Sequence, residues 1–184
     1  MLNKSGGRLL IKLSLPAMVG MFAYSAFSLV DTFFIARLGA KALAAITLTI
    51  PIQVLITSLA SATGVGLTSL ISRTLGQGNI KFADNVAWHG LLIGITYGLL
   101  FLFIGGQYLD QLLLVFGSNQ ETFLLCKQYL SIILKGCVFT FIPIVLSSII
   151  QGEGNTFLPM MVALSGAALN VAFDPLFIFG FGPV

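Results

Sequence analysis

Apolar residues fill this chain in long blocks separated by brief polar clusters, with little alternation that would divide a core-facing side from a water-facing one. Five blocks stand out. The first runs from about residue 9 to residue 36 and stops at "RLGAK"; the second covers about 42–72 and stops at "RTLGQGN". The third covers about 86–107 and is followed by "YLDQLLLVFGSNQE". The fourth spans about 122–150 and ends at "QGEGNT", and the fifth spans about 157–179. Each exceeds the roughly 20 residues an α-helix needs to cross about 30 Å of hydrocarbon, and tilt or extension into the headgroups absorbs the surplus. The pattern predicts an all-α polytopic membrane protein with about five transmembrane helices.

Composition agrees. Of 184 residues 57% are hydrophobic and only 8% charged, with a mean hydropathy of +1.02. Soluble domains carry about 25% charged residues, so this chain cannot coat itself for water. Sixteen Phe and 20 Gly suit helices that pack against one another in lipid. The net charge of +3 includes no Lys/Arg cluster, which argues against a nucleic-acid partner. Short-loop cations set orientation instead: Lys4, Arg8, Lys12, Arg73 and Lys81 against Arg37 and Lys41 favour a cytoplasmic N-terminus. Helices one, three and five then run outward. The opening "MLNKSGGRLLIKLSLP" resembles a leader, but the apolar run continues past Asp31 without a cleavage site, so it reads as a retained span.

Candidate chemistry lies in the few polar residues inside the blocks. Asp31 and Asp174 each stand five residues before the outer end of an outward-running helix, which places both roughly 8 Å below that boundary. Asn170 is one turn deeper than Asp174 on the same face. Tyr129, about seven residues into an inward-running helix, reaches the same depth. Carboxylates within a span are costly and normally face a bundle interior or a wet cavity. Two carboxylates with an amide and a phenol suit a shared proton or a hard cation such as Na+ at Asp31, Asn170 and Asp174. The competing reading makes both aspartates near-interface groups that reach headgroup water.

Other residues carry less. Lys135 sits mid-block, where it pairs with a carboxylate or lines a cavity. Lys127 reads as an outer-interface residue, and Trp88–His89 as an interface anchor. Glu153 reads as a solvated loop residue. Gly64 and Gly66 read as points of close helix contact, because the stretch around them lacks the Lys-Ser ending of a phosphate loop. Pro16, Pro51, Pro143, Pro159 and Pro175 fall in or at the ends of the blocks, and each removes a backbone donor and is expected to bend or open the helix near it. Pro16 is placed to bend helix one, whereas Pro159 reads as a helix-start proline. Cys126 and Cys137 lie about 16 Å apart along one helix, too far for a disulfide. His89 is the only histidine, so no nucleophile–base arrangement supports an enzyme, and nothing calls for a cofactor.

"SLVDTFFIARLGAKALAA", "GVGLTSLISRTLGQGN", "YLSIILKG", "QGEGNTFLPM" and "ALNVAFDPLFIFGFG" resemble, in order and spacing, the multidrug and toxic compound extrusion (MATE) transporters, and the bacterial DinF-like branch in particular. The resemblance covers nearly the whole chain. It implies an antiporter of two six-helix lobes, driven by Na+ or H+, that exports small organic compounds from the bacterial cytoplasmic (inner) membrane. It assigns the coupling site to Asp31, Asn170 and Asp174, with Tyr129 in support, and the conformational hinge to Pro16. Lys135 departs from the apolar residue expected after "YLSIIL". Five spans are fewer than the family's twelve, and the chain closes on "FGFGPV" without a polar tail. The expectation is therefore an amino-terminal portion, inactive alone, whose partners are membrane lipid and a carboxy-terminal lobe in cis or trans. Two alternatives remain open: a lipid-linked sugar flippase of the same superfamily, and a non-transporting fragment or interaction subunit.

Overall fold

The computed structural model describes residues 6–116 and 121–180, and every described element is helical. Lys4, the 117–120 part of "FGSNQE" and the last four residues of the "FGFGPV" ending lie outside the described residues. The helices are α1 (Gly6–Arg37), α2 (Ala40–Gly76), α3 (Ile80–Leu100), α4 (Leu109–Val115), α5 (Phe123–Lys135), α6 (Cys137–Gly152) and α7 (Phe157–Phe179). A π-helical turn, Phe101–Gly105, extends α3. Four helices are long and apolar enough to cross a membrane, and α5 with α6 makes a fifth crossing if the bent pair is one span.

Local chemistry explains the boundaries. Two of the turns use the same pair of residues. Gly78 (φ 76°) and Gly154 (φ 89°) adopt the left-handed backbone that glycine tolerates. Each is followed by an asparagine that caps the next helix: Asn79 Oδ1 accepts from Phe82 N at 3.1 Å, and Asn155 Oδ1 accepts from Phe157 N and Leu158 N at 3.1 Å. The Asn79 cap starts α3 at Ile80, ahead of the expected 86, because Lys81 and Asp84 belong to its first turns.

The fourth block differs from expectation. It breaks into α5 and α6, which meet at a 46° bend. The bend falls at Gly136, whose ψ of −2° turns the chain after its amide bonds to the Ile132 carbonyl at 2.9 Å. Pro143, the residue expected to bend this segment, lies inside α6. Pro16, Pro51 and Pro175 likewise lie inside continuous helices, and Pro159 sits in the first turn of α7. "LDQLLLV", expected to be a connection, forms the short helix α4.

The chain divides into two compact units, one holding α1 and α7 and the other α2 to α6. Within the larger unit the buried residues of α2 form one stripe: Ala45, Thr49, Ile52, Ile56, Ala60, Gly64, Leu67, Ile71 and Thr74. Steps of three and four keep them on one helical face. The matching stripe of Cys126, Leu130, Leu134, Cys137, Phe141, Val145 and Ser148 continues across the Gly136 bend in the same rhythm, so the bend redirects the span without changing its buried face. Two polar contacts join the stripes: Thr68 Oγ1 donates to the Ser148 carbonyl at 2.8 Å, and Cys126 Sγ donates to the Ala45 carbonyl at 3.4 Å. Gly64 packs against Ser148 and Ile144, as expected, whereas a Cβ at Gly66 would meet no described residue within 4 Å.

Both cysteines are free and fully buried in this packing. A membrane-permeant thiol reagent is expected to leave Cys126 and Cys137 unmodified in the folded chain and to label both after denaturation. Labelling of the folded chain, read by mass spectrometry, would contradict the packing of α5 and α6 on α2.

Outside that core, α4 is tied to α5 by Lys127, whose Nζ lies 2.7 Å from Asp110 Oδ1 and 2.8 Å from Oδ2. Both side chains are about half exposed, and such pairs contribute only about 0–1 kcal/mol.

In the smaller unit α1 and α7 pack along each other and run in the same direction. Gly20 lies against Met160 and Ala163, and Asp31, eleven residues on, lies near Asp174, eleven residues beyond Ala163. Gly20 admits this approach: a Cβ there would stand 3.7 Å from the Met160 Cα, which is already contact distance.

Candidate functional site

The closing helix carries the site. In "ALNVAFDP", Asn170 and Asp174 are one turn apart on α7. Asp174 is 9% exposed; its Oδ2, and the Oδ1 of Asn170, are buried without a hydrogen-bond partner among the described residues. Pro175 adds a third oxygen to the same turn, because it lacks the amide hydrogen that would otherwise bond to the Val171 carbonyl. From α1 comes Asp31, half-buried and close enough for its charge to act on that of Asp174.

A buried acceptor left unpaired costs about 1–3 kcal/mol. Here two such atoms stand together, next to a second carboxylate that repels rather than donates. Something positive completes such an arrangement: a proton on one of the carboxyls, or a cation held by oxygens. No described group of three or more His, Cys, Asp and Glu side chains is placed to hold a metal ion. Asp31, Asn170 and Asp174 offer side-chain oxygens, which suit a hard cation better than a transition metal.

A groove of about 320 Å³ opens beside Asn170 in the same unit, lined by Tyr24 and Phe27 of α1 and by Ala163, Gly166 and Ala167 of α7. Tyr24 and Phe27 pack edge to face, with ring centroids 5.7 Å apart. The small residues of α7 leave the space and the two rings wall it. Sequence reasoning did not single out these aromatics, yet a signal is present: Tyr24, Phe27 and Asp31 follow at three- and four-residue steps and share one face of α1.

The other expected site residues belong to other segments of the chain. Pro16 is on α1, half-buried, and the helix continues through it. Tyr129 and Lys135 belong to the larger unit, both on α5. Tyr129 is half-buried. Lys135 is exposed beside the Gly136 bend and forms no ion pair with any described carboxylate, contrary to one of the two roles expected for it. Trp88 and His89 are exposed on α3, and Glu153 is exposed after α6.

A sequence profile of the MatE family matches residues 16–176. The chain belongs to the MatE family. This MatE chain is 33% identical over 177 residues to the FAD transporter of Shewanella oneidensis, covering 96% of itself and 39% of that relative. It is 28% identical over 169 residues to the multidrug export protein MepA of Staphylococcus aureus, covering 91% of itself and 38% of MepA. A solved outward-facing multidrug resistance MATE family transporter of the MOP superfamily matches it at 32% identity with a TM-score of 0.90, over 95% of this chain and 39% of that one. The chain thus spans about two fifths of the length of these relatives. Its relatives are transporters, and its own apolar helices make it a multi-pass membrane protein.

Proposed function

We propose that this MatE chain forms part of a cation-coupled antiporter that exports drugs or other small organic compounds, and that Asp31, Asn170 and Asp174 are its coupling site for Na+ or H+. The observation that carries this reading is the pair of buried, unpartnered oxygens of Asn170 and Asp174 beside the Asp31 carboxylate. An ion entering the site neutralises charge that the protein does not neutralise itself. Coupling requires that the two conformations of a transporter hold the ion with different affinity. Two carboxylates on two different helices provide this, because any relative movement of α1 and α7 changes how many oxygens reach the ion. Pro16 is the natural point for such movement, since it deletes the hydrogen bond to the Lys12 carbonyl and weakens α1 there.

The proposed setting is the bacterial inner membrane with the N-terminus cytoplasmic, as the distribution of short-loop cations favours. Rocking between repeats needs two of them, so the chain acts with the helices that complete the transporter, in cis or in trans. The cargoes for which the relatives are named, FAD and multiple drugs, support a small organic cargo without choosing between them.

The test is efflux from cells that express the chain together with those completing helices, under an imposed Na+ or H+ gradient. Gradient-dependent export that collapses when the gradient is dissipated is the expected result. Export indifferent to both gradients would overturn the coupling assignment.

A further inference from the structure

A second groove, which the transport reading leaves unused, lies between α2 and α3 within the larger unit. Its volume is about 320 Å³, and its walls include Leu67 and Leu70 of α2 and Phe82, Val86 and Ile93 of α3. Gly90 lets the helices meet at its base: a Cβ there would stand 2.5 Å from Leu67 Cδ2. Both helices have the length and hydropathy of membrane spans, and they are joined by the short turn at Gln77–Asn79. The groove therefore ends near the level where a span leaves the hydrocarbon.

That end is basic. Arg73 lies three residues beyond Leu70 on the same face of α2, and Lys81 lies four residues before Asn85, which also lines the groove. Both cations are exposed, and neither forms an ion pair with a described carboxylate, whereas Lys41 and Lys127 do. The neighbouring carboxylate, Asp84, is exposed but unpaired with Lys81. His89 donates through Nδ1 to the Asn85 carbonyl at 2.8 Å, which fixes its ring at the groove wall. Beside it Trp88 is 67% exposed, as interfacial tryptophans are.

We propose that this groove binds an anionic phospholipid, with an acyl chain along Leu70, Phe82 and Ile93 and the phosphate between Arg73 and Lys81. Apolar walls alone accept any lipid tail. Two unpaired cations at the headgroup level select a net negative head over a zwitterionic one. A soluble phosphate satisfies the cations but leaves the apolar walls bare. The proposal does not depend on the transport reading.

The sole tryptophan supplies the test. The chain is reconstituted in phosphatidylcholine bilayers with increasing brominated phosphatidylglycerol, and Trp88 quenching is compared with that by brominated phosphatidylcholine. With about a factor of five per cation near the surface, quenching should be half-maximal at roughly 5- to 25-fold lower mole fraction of the anionic lipid. Arg73→Gln with Lys81→Gln should remove the preference. Arg73→Lys and Lys12→Gln, a change on α1 outside the groove lining, should keep it, and excess soluble glycerol phosphate should not displace the lipid. Equal quenching by both lipids would overturn the proposal. So would a preference that survives the double substitution or falls as much with Lys12→Gln, which would mark diffuse attraction. Displacement by glycerol phosphate would show a headgroup-only site and would also overturn it.

Discussion

Asp174→Asn is expected to reduce ion-driven efflux by roughly a hundredfold while leaving the chain folded. Changes to groups that merely orient an ion's ligands already cost roughly 10–100-fold in affinity or activity, and the proposed coupling site makes Asp174 a ligand itself. The substitution replaces one oxygen by a nitrogen of nearly equal size, so the packing of α7 on α1 is retained. What disappears is the negative charge and one of the two buried acceptors that lack a donor. Asp31→Asn should give a similar loss, and the double variant little more, because groups that act as a unit are not additive. Thermal stability should not fall in any of the three, since each single variant removes one of two neighbouring like charges and the double variant removes both. Efflux and melting, measured on the same preparations, check both statements. Loss of efflux accompanied by loss of folding would assign the aspartates to structure instead of coupling.

The second large effect concerns α3. Gly90, Gly94 and Gly98 recur at every fourth residue, and all are buried. Their neighbours differ in ability to yield. A Cβ at Gly90 meets the end of the Leu67 side chain, which can turn aside. At Gly94 it would stand 2.9 Å from Val145 Cγ2. At Gly98 it would stand 2.6 Å from the Val138 Cα and 3.0 Å from the Val138 nitrogen, and backbone cannot move without shifting α6. Over-packing typically costs about 1–3 kcal/mol, and a chain of this size loses roughly 2–4 °C per kcal/mol. Gly98→Ala should therefore lower the melting temperature by up to about 10 °C, Gly94→Ala by less and Gly90→Ala least. Equal effects at the three positions would contradict the described contact of α3 with α6.

The helices were legible because hydrocarbon thickness and backbone hydrogen bonding leave a lipid-spanning segment few alternatives. Asp31 and Asp174 were legible for a related reason: few residues are charged, so an aspartate inside an apolar run stands out. Counting residues from the helix ends placed the two at one level, and the structure brings them together with Asn170. The Gly136 break was not legible. Glycine is common in membrane helices, and nothing in "ILKGCVF" distinguishes a glycine that turns the chain from one that packs. Pro143 drew the expectation because its effect is local and known, yet the helix accommodates it. Helix α4 was missed because "LDQLLLV" is too short to register as a span. The aromatics Tyr24 and Phe27 were hidden in a run of apolar neighbours, and only the partner helix shows which face of α1 borders a groove.

Infrared difference spectroscopy of the purified chain in lipid, recorded as Na+ or H+ is exchanged, tests the central claim most directly because it observes the carboxyl groups themselves. Ion-induced carboxyl bands are expected in the unaltered chain, reduced or absent in Asp31→Asn and Asp174→Asn, and preserved in Asp110→Asn, which alters only the exposed pair with Lys127. Bands unchanged by either of the first two substitutions would contradict a coupling site at Asp31, Asn170 and Asp174.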